Sequence, residues 1–339
     1  LAARSRLCSV WLGSETGILK GVSLDRKQAF NFSNTRALSR DQEVRALCWA
    51  DPAESELLLG CADGTVRTFS TEKGVFTEAR SCGDPQEGCF SGLASLRGSA
   101  IITCAECGKV RVWREDGSGP VAELDAGSNV CRMRQSPMDP NRVATGGKEN
   151  GLKIWDLERP EKPLFTAKNL RDDWLDLRRP HWVRDMGFIP DSDKVVTCTG
   201  YHQVHVFDPA TPQRRPVLEA EFGEYPLTAL ALPCHASQPL VASCGLDRFL
   251  RVHSLEDQQP LHRVYLKSRL TCLLLASREL QAGQGGGATE GAEPQVKEEE
   301  EDEVWDRMER VEEEEEATKR KPAAGEEEVK KKKKKKGGD

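Results

Sequence analysis

The feature that most constrains this chain is a short hairpin that recurs along it. The clearest copy runs from Val143 to Leu157: an apolar strand, a tight Lys-Glu-Asn-Gly turn, and an alternating strand that ends in Trp-Asp. We expect Gly151 to supply a positive φ in this turn, because glycine has no Cβ to oppose it. Leu152 and Ile154 alternate with polar residues, which predicts one buried and one solvated face. A single hairpin is not stable alone, so its copies must pack together.

Five further segments carry the same pattern of an apolar strand, a turn and an alternating strand. They are residues 8–13 with 17–22, 57–61 with 65–69, 100–104 with 109–113, 195–198 with 203–207, and 240–244 with 249–253. Consecutive hairpins end between 42 and 52 residues apart. A period of about 40–45 residues resembles that of the WD repeat, which forms four-stranded blades. The pattern predicts an all-β fold, a WD-repeat β-propeller over residues 1–280.

The segments between the hairpins fit the inner strands of such blades. We predict inner strands at residues 44–49, 92–96, 130–133, 227–232 and 270–275. No hairpin follows the last of these strands, and no inner strand precedes the first hairpin. We therefore expect residues 270–276 to complete the first blade, which closes the series of sheets and removes an open edge.

The chain contains 12 cysteines, and their positions follow the repeat. Four recur at one position of the hairpins and three lie in predicted inner strands: Cys61, Cys104, Cys198 and Cys244, and Cys48, Cys131 and Cys272. Repetition at one position predicts small buried apolar residues rather than disulfides. The pairs Cys104-x-x-Cys107 and His202-x-x-His205 lack the companion ligands of a structural metal site. We expect no metal and no cofactor.

The motifs of common catalytic sites are missing from this sequence. It contains no Gly-x-Ser-x-Gly, no His-Glu-x-x-His and no dinucleotide fingerprint. Gly146-Gly147-Lys148 lacks the glycine spacing and the Ser/Thr of a phosphate-binding loop. No run of 18 apolar residues is present, and no long apolar segment follows the N-terminal arginines. We expect a soluble protein that is neither secreted nor an enzyme, with no membrane and no small-molecule substrate.

Two connections between predicted strands have unusual compositions. Residues 168–182 mix two tryptophans with four Arg/Lys and three Asp, and residues 222–226 form a turn bracketed by Gly and Pro. Exposed Trp, Tyr and Arg on loops of a rigid scaffold are favoured interface anchors, and arginine pairs well with phosphate or carboxylate. The two tryptophans could equally pack inward between blades. The predicted partner-binding residues are Lys148, Arg171, Trp174, Arg178, Arg179, Trp182, Tyr201, Glu224, Tyr225 and Arg248.

From residue 281 to residue 339 the composition changes to that of a tail. Residues 283–339 carry 19 acidic and 13 basic side chains, whereas residues 1–282 carry 36 of each, so the body is neutral overall. Residues 282–288 form a flexible Gly-rich linker, and the glutamate blocks at 298–303 and 312–316 cannot form a core. Apolar residues at helical spacing predict a short helix over 303–312 that orders against a partner; the alternative is a solvated tail.

Two basic clusters end the chain. About ten residues separate them, an arrangement typical of a nuclear-import signal or of a tail that attracts nucleic acid. The alternative is a solubilising run. The clusters consist of Lys319, Arg320 and Lys321, and of Lys330, Lys331, Lys332, Lys333, Lys334, Lys335 and Lys336.

Seven strings carry a closer resemblance than the generic repeat does. At residues 131–135, 143–150, 173–178, 198–202, 213–218, 223–228 and 243–248 the chain resembles a family of nucleolar WD-repeat factors of large (60S) ribosomal subunit assembly. The resemblance implies a non-catalytic scaffold of the nucleus and nucleolus that supports rRNA processing. Its implied partners are pre-60S ribosomal particles, ribosomal RNA, other assembly factors and a nuclear AAA-type ATPase that releases it.

One departure from that family concerns the number of blades. The family propeller has seven blades, whereas six hairpins occur here. Between Leu232 and His235 a stretch of about forty residues, the length of one repeat, is missing relative to the family pattern. We therefore predict six blades, or an open seam beside residues 230–240.

Two other functions are compatible with a WD-repeat propeller. One is a substrate receptor of a cullin-type ubiquitin ligase, but such receptors tend to carry Arg two places after Trp-Asp, where this chain has Glu158. The other is a chromatin-associated reader that uses the acidic turns to bind histone tails.

Overall fold

The computed structural model describes residues 2–33, 38–96, 99–114, 119–172, 175–221, 227, 240–245, 247–254 and 260–276. The predicted tail helix, both basic clusters, and Trp174, Glu224 and Tyr225 lie outside these residues. Within them, no helix has the length and apolar character needed to cross a membrane.

In the described part of the chain, 23 strands form six sheets, which we number as blades 1–6. Blade 1 contains β1 (Val10–Ser14), β2 (Leu19–Ser23), β3 (Gln28–Asn31) and β23 (Leu270–Leu275). Blade 2 contains β4 (Val44–Trp49), β5 (Glu56–Cys61), β6 (Thr65–Ser70) and β7 (Val75–Ser81). Blade 3 contains β8 (Phe90–Leu96), β9 (Ala100–Ala105), β10 (Lys109–Arg114) and β11 (Pro120–Asp125).

Blade 4 contains β12 (Val130–Gln135), β13 (Arg142–Gly147), β14 (Asn150–Asp156) and β15 (Phe165–Thr166). Blade 5 contains β16 (Val183–Phe188), β17 (Val195–Thr199), β18 (Gln203–Phe207) and β19 (Leu218–Glu221). The described strands of blade 6 are β20 (Leu240–Cys244), β21 (Phe249–Ser254) and β22 (Pro260–Tyr265). A short helix α1 (Ala2–Ser5) and two 3₁₀ turns (Arg40–Gln42 and Pro85–Glu87) complete the elements.

All six predicted hairpins are present as antiparallel pairs. The middle strands read as apolar runs because a neighbouring blade covers each of their faces: every residue of β1 and of β17 is buried. The outer strands face solvent, and β19 is exposed throughout. The second strands are more buried than the inner strands beside them, since β5 is buried at five of six positions and β4 at two.

The hairpin of blade 4 corrects one prediction. Gly147 lies opposite Asn150, so the turn consists of Lys148 and Glu149 alone. Glu149 takes the positive φ, at 53°. Gly151 lies inside β14 without a positive φ, and its predicted role was wrong. The glycine that this hairpin requires is Gly147, because a Cβ there would overlap the carbonyl oxygen of Asn129.

The prediction that residues 270–276 complete the first blade is confirmed. β23 pairs antiparallel with β1, with Val10 opposite Leu275 and Leu12 opposite Leu273. The last described strand thus becomes the inner strand of the first blade. The closure removes the unpaired backbone edge that β1 would otherwise present.

Four of the five predicted inner strands are β4, β8, β12 and β23, and the fifth, at 227–232, lies almost wholly outside the described residues. The inner strand of blade 5, β16, was not predicted; it pairs with β17. Its sequence Val-Arg-Asp-Met-Gly-Phe places an Asp among apolar residues, which obscured the strand pattern. The junction between blades 5 and 6, where we predicted a seam, also falls on residues outside the described part.

The hydrophobic core is divided into layers between neighbouring blades. Five buried clusters join blades 1 and 2, 2 and 3, 3 and 4, 4 and 5, and 6 and 1 in the described chain. Between blades 1 and 2, the ring of Trp11 lies 5.2 Å from that of Phe32 and 5.4 Å from that of Phe69. In the described residues, blades 1–4 are therefore each stabilised mainly by their two neighbours.

The predicted burial of the repeated cysteines holds for three of four. Cys61, Cys104 and Cys198 are at most 1% exposed, and burial raises the pKa of the Cys104 thiol to about 12. Cys244 is half-buried. The three inner-strand cysteines, Cys48, Cys131 and Cys272, are also half-buried rather than buried. The sulfur of Cys131 accepts a hydrogen bond from the indole of Trp182.

Candidate interface on the upper rim of blades 4 and 5

The inner strands begin at the end of each blade where its second and third strands are joined, and we name this end the upper rim. Each of the five described inner strands has a register shift at its second residue. Such β-bulges re-aim a side chain relative to its strand. The five residues at the bulges are Arg45, Ser91, Cys131, Arg184 and Thr271.

Trp182 is the centre of the rim between blades 4 and 5. Lys148 Nζ lies 5.3 Å from the centroid of its ring and Arg184 Cζ lies 4.8 Å from it, within the range of cation–π interaction. The ring of Tyr201 approaches edge-on at 6.5 Å. Three predicted residues, Lys148, Trp182 and Tyr201, are thus brought together, and Arg184 joins them.

Backbone contacts fix the position of Trp182. It forms an isolated bridge with Lys148, and its carbonyl accepts from the N–H of Gly200 at 2.9 Å. A Cβ on Gly200 would lie 2.7 Å from the indole ring, so the close approach requires glycine at that position. The side chain is half-buried. Trp182 therefore packs inward between the blades and also presents part of its ring on the rim.

The described residues of the 168–182 connection are fastened to both blades. Arg178 forms an ion pair with Glu149 of blade 4 at 3.0 Å, and Arg179 forms one with Glu219 of blade 5 at 3.4 Å. Because both pairs are exposed, each contributes little stability. Their guanidinium groups retain donors for other anions, since arginine carries five N–H donors. Arg171 is exposed.

A buried carboxylate lies beneath the rim at the start of β16. Asp185 is 1% exposed and accepts from Arg134 Nη2 at 3.1 Å, while Arg132 Nε lies 3.3 Å away. Burial lowers the pKa of Arg132, and Asp185 opposes that effect. This ion pair joins the inner strands of blades 4 and 5.

The remaining predicted residue, Arg248, does not join this cluster. It lies in the turn between β20 and β21 of blade 6, where its Nη1 is 3.4 Å from the hydroxyl of Tyr265. The rim residues that sequence reasoning missed are Arg184, Glu149 as an ion-pair partner, and His181. One signal could have identified Arg184, because it occupies the same second position of an inner strand as Arg45.

Comparison with known proteins identifies close relatives. The chain is 48% identical to WD repeat-containing protein 74 of Bos taurus and 47% identical to that of Homo sapiens, over 91% of this chain and 91% of each relative. Ribosome biogenesis protein NSA1 of Meyerozyma guilliermondii is 25% identical over 47% of this chain and 58% of that protein. No protein-family model matches the chain.

The alignment length bears on the predicted loss of one repeat. Since 91% of 339 residues is about 308, about 45 of the 353 positions aligned with the Bos taurus protein have no residue of this chain opposite them, which is close to one WD repeat. The place of the loss, between Leu232 and His235, stays a prediction.

A solved structure supports the fold independently. The WD40 β-propeller domain of Doa1 matches with a TM-score of 0.52 and 18% identity, over 78% of this chain and 80% of that chain. At this identity the likeness shows the fold alone. The six-bladed arrangement, the recurrent hairpins and the close relatives lead to one conclusion. The chain belongs to the WD repeat-containing protein 74 family of WD-repeat proteins.

Proposed function

We propose that this protein acts in ribosome biogenesis, as a non-catalytic scaffold in nucleolar assembly of the large (60S) ribosomal subunit. The observation that carries the proposal is membership of the WD repeat-containing protein 74 family, supported by more distant relatives that are named ribosome biogenesis proteins. In this proposal the scaffold supports rRNA processing in the nucleolus, contacts protein and rRNA, and leaves the particle through a nuclear AAA-type ATPase.

The rim of blades 4 and 5 is the proposed contact surface. Its half-buried Trp182, with cations of Lys148 and Arg184 on the ring, offers an aromatic face and positive charge together. Such a surface suits an anionic partner with planar groups. The carboxylates of Glu149 and Glu219 on this rim pair with arginines, an arrangement that favours binding over proton transfer.

The test is association with pre-60S particles in cells. A tagged chain carrying Arg171→Glu, Arg178→Glu and Arg179→Glu should sediment less with nuclear pre-60S particles than the wild type does. The substitutions reverse the positive charge of the connection and place like charges beside Glu149 and Glu219. Equal co-sedimentation of the variant, with an unchanged circular dichroism spectrum and melting temperature, would contradict the proposed surface.

The opposite end of the blades supplies a matched control. Arg26, Arg159 and Lys162 are exposed in turns between the third and fourth strands of blades 1 and 4. Their replacement by Glu changes the net charge by the same amount and should leave the association intact.

Purification of the wild-type protein from nuclei tests the wider proposal. Co-purification mainly of cullin ligase subunits or of histones, rather than of ribosomal proteins and rRNA, would overturn it.

A further inference from the structure

Blade 5 departs from blades 3 and 4 at one internal position. In blades 3 and 4 an indole N–H donates to the hydroxyl of the threonine ten residues earlier: Trp113 to Thr103 and Trp155 to Thr145, both at 2.9 Å. The equivalent pair in blade 5 is Phe207 and Thr197, by the same register of the second and third strands. Phenylalanine is smaller than tryptophan and has no N–H.

A cavity of about 270 Å³ lies at this position, between blades 4 and 5. Its wall includes Thr197 and Phe207 together with His181, His205 and Leu152. The cavity thus lies at the position where blades 3 and 4 carry an indole. Its volume is just below the range of about 300–1,000 Å³ typical of small-molecule sites, so it can accept one planar ring but not a larger ligand.

Three buried polar atoms of the wall have no hydrogen-bond partner among the described residues. They are the Thr197 hydroxyl, His181 Nδ1 and His205 Nε2. Thr197 is fully buried and His205 is 7% exposed, and Glu149 approaches His181 Nδ1 only to 4.0 Å. Buried polar groups are nearly always paired in native proteins. Their convergence on one cavity therefore indicates a site built for a polar ligand.

The chemistry of the wall restricts that ligand. Burial lowers the pKa of both His181 and His205, so each is neutral at neutral pH and offers one donor and one acceptor. The charged side chains of the wall are paired elsewhere or lie at its mouth, so a charged group deep inside would have no close counter-ion, which is costly. The apolar side chains of Leu152, Val183 and Phe207 suit the faces of an aromatic ring. The ligand inside is a neutral planar ring with both donors and acceptors on its edge.

The cations at the edge of the cavity indicate what the ring is attached to. Lys168 and Arg178 line the cavity and are both exposed, and Arg178 keeps free donor capacity beside its pair with Glu149. A lysine and an arginine at the mouth suit a phosphate group. A neutral planar ring next to a phosphate is the chemistry of a nucleotide within a strand.

We propose that the cavity between blades 4 and 5 binds one unstacked base of a single-stranded RNA, with the adjoining phosphate on Lys168 and Arg178. Thr197, His181 and His205 read the edge of the base, and Leu152, Val183 and Phe207 contact its faces. The identification of the strand as RNA rests on the proposed function in ribosome assembly. This site would give the rim a preference for one base, whereas its exposed cations contact phosphate groups of any sequence.

The test is the affinity of the full chain for fluorescein-labelled RNA homopolymers of each of the four bases, measured by anisotropy. Thr197→Val removes the hydroxyl with little change of shape, and should weaken binding of the preferred base about tenfold, the loss of roughly one hydrogen bond. Its melting temperature should not fall. Thr103→Val is the matched control in blade 3: it breaks the bond from Trp113, so it should lower the melting temperature and leave RNA affinity unchanged.

A second variant separates binding from folding. Phe207→Trp restores the indole of the repeat, fills the cavity and supplies a donor to Thr197. It should raise the melting temperature while removing the preference for one base. Loss of binding in a stabilised variant cannot come from unfolding.

Three results would overturn the proposal. One is that wild type, Thr197→Val and Phe207→Trp bind all four homopolymers with equal affinity. Phosphate contacts alone would then account for the binding. Another is unchanged binding of an oligonucleotide whose bases have been removed. The third is that an acidic, tryptophan-containing peptide displaces the RNA and that Thr197→Val weakens binding of this peptide. The natural occupant of the cavity would then be a protein side chain. If wild-type protein still sediments with pre-60S particles, the proposed function survives any of these results.

Discussion

Asp185 is a buried carboxylate between the inner strands of blades 4 and 5. Its buried carboxylate accepts from Arg134 and faces Arg132, so two inner strands are held together from beneath the rim. A strand pattern with Asp among apolar residues looks unfavourable in isolation. The cost of burying the charge is offset only when the arginines of the neighbouring blade are in place.

Replacement of Asp185 by Asn should therefore be strongly destabilising. The variant leaves the half-buried Arg132 without a counter-charge. Because Arg132 and Arg134 are partly exposed, the loss should be about 2 kcal/mol, less than for a pair buried on both sides. Urea denaturation would measure the change in the free energy of unfolding. Asp193→Asn is the control, because its pair with Arg142 is exposed and should change stability by less than about 1 kcal/mol. Equal effects of the two variants would contradict the role of Asp185.

The histidines of the blade 4–5 cavity make stability depend on pH. Burial lowers the folded-state pKa of His181 and His205 below their ordinary value of 6.5. Below about pH 6.5 these histidines therefore bind more protons in the unfolded chain than in the folded chain. As a result, the free energy of unfolding falls as the pH is lowered. The loss is at most about 1.4 kcal/mol per pH unit for each histidine.

Urea denaturation at about pH 7.5 and about pH 5.5 measures this dependence. His205→Phe removes one of the titrating groups and should make the dependence on pH shallower. A pH dependence that is as steep in the variant as in the wild type would show that His205 does not contribute to it.

At the scale of elements, the hairpin is the unit that both the sequence and the structure repeat. Its turns are short, so the backbone of one blade approaches the connection into the inner strand of that blade. In blade 4 the approach is closest at Gly147, which packs against the backbone of Asn129. The conformational freedom of glycine matters less here than its lack of a side chain.

Two glycine substitutions in this hairpin should differ sharply. Gly147→Ala would push its Cβ into the Asn129 carbonyl and move β12, at a cost of about 3 kcal/mol or more. Gly151→Ala should stay within about 1 kcal/mol, because its Cβ would have no neighbour closer than 3.6 Å. Thermal melting of both variants measures the difference. If Gly151→Ala were the more damaging of the two, the assignment of the turn to Lys148 and Glu149 would be wrong.

At the scale of the whole molecule, the charge is divided between the body and the tail. The body of 282 residues is balanced, with 36 acidic and 36 basic side chains, and seven consecutive lysines lie at 330–336. A neutral body contacts nucleic acid only through local patches such as the rim of blades 4 and 5. The lysine run is expected to attract polyanions without regard to sequence.

Deletion of residues 330–339 should weaken binding to all RNA sequences equally. The slope of the logarithm of the binding constant against the logarithm of salt concentration should become shallower by about 0.7 for each lost phosphate contact. Titrations of RNA over a range of salt concentrations measure this slope. Replacement of the seven lysines by arginine keeps the charge and should keep the slope. If the deletion changed the preference between bases, the lysine run would contribute to base selectivity, which contradicts this prediction.

The sequence by itself determined the repeat, and with it most of the architecture. Six hairpins, spaced 42 to 52 residues apart, cannot each bury their faces alone, so they must stack. The unmatched strands at the two ends of the series must then pair. The prediction that residues 270–276 complete the first blade followed from this count and is confirmed by the pairing of β23 with β1. Local patterns suffice here because each blade contacts only its neighbours.

Only the tertiary structure decided the arrangement of the rim and of the cavity. Strand β16 escaped the sequence analysis because Asp185 is neutralised by arginines about 50 residues earlier. Lys148, Trp182 and Tyr201 meet because the backbone of Trp182 bridges to Lys148 in the turn of blade 4 and to Gly200, beside Tyr201, in blade 5. The unpartnered hydroxyl of Thr197 becomes visible only beside its paired counterparts, Thr103 and Thr145. These features depend on contacts between repeats, which periodicity within one repeat does not encode.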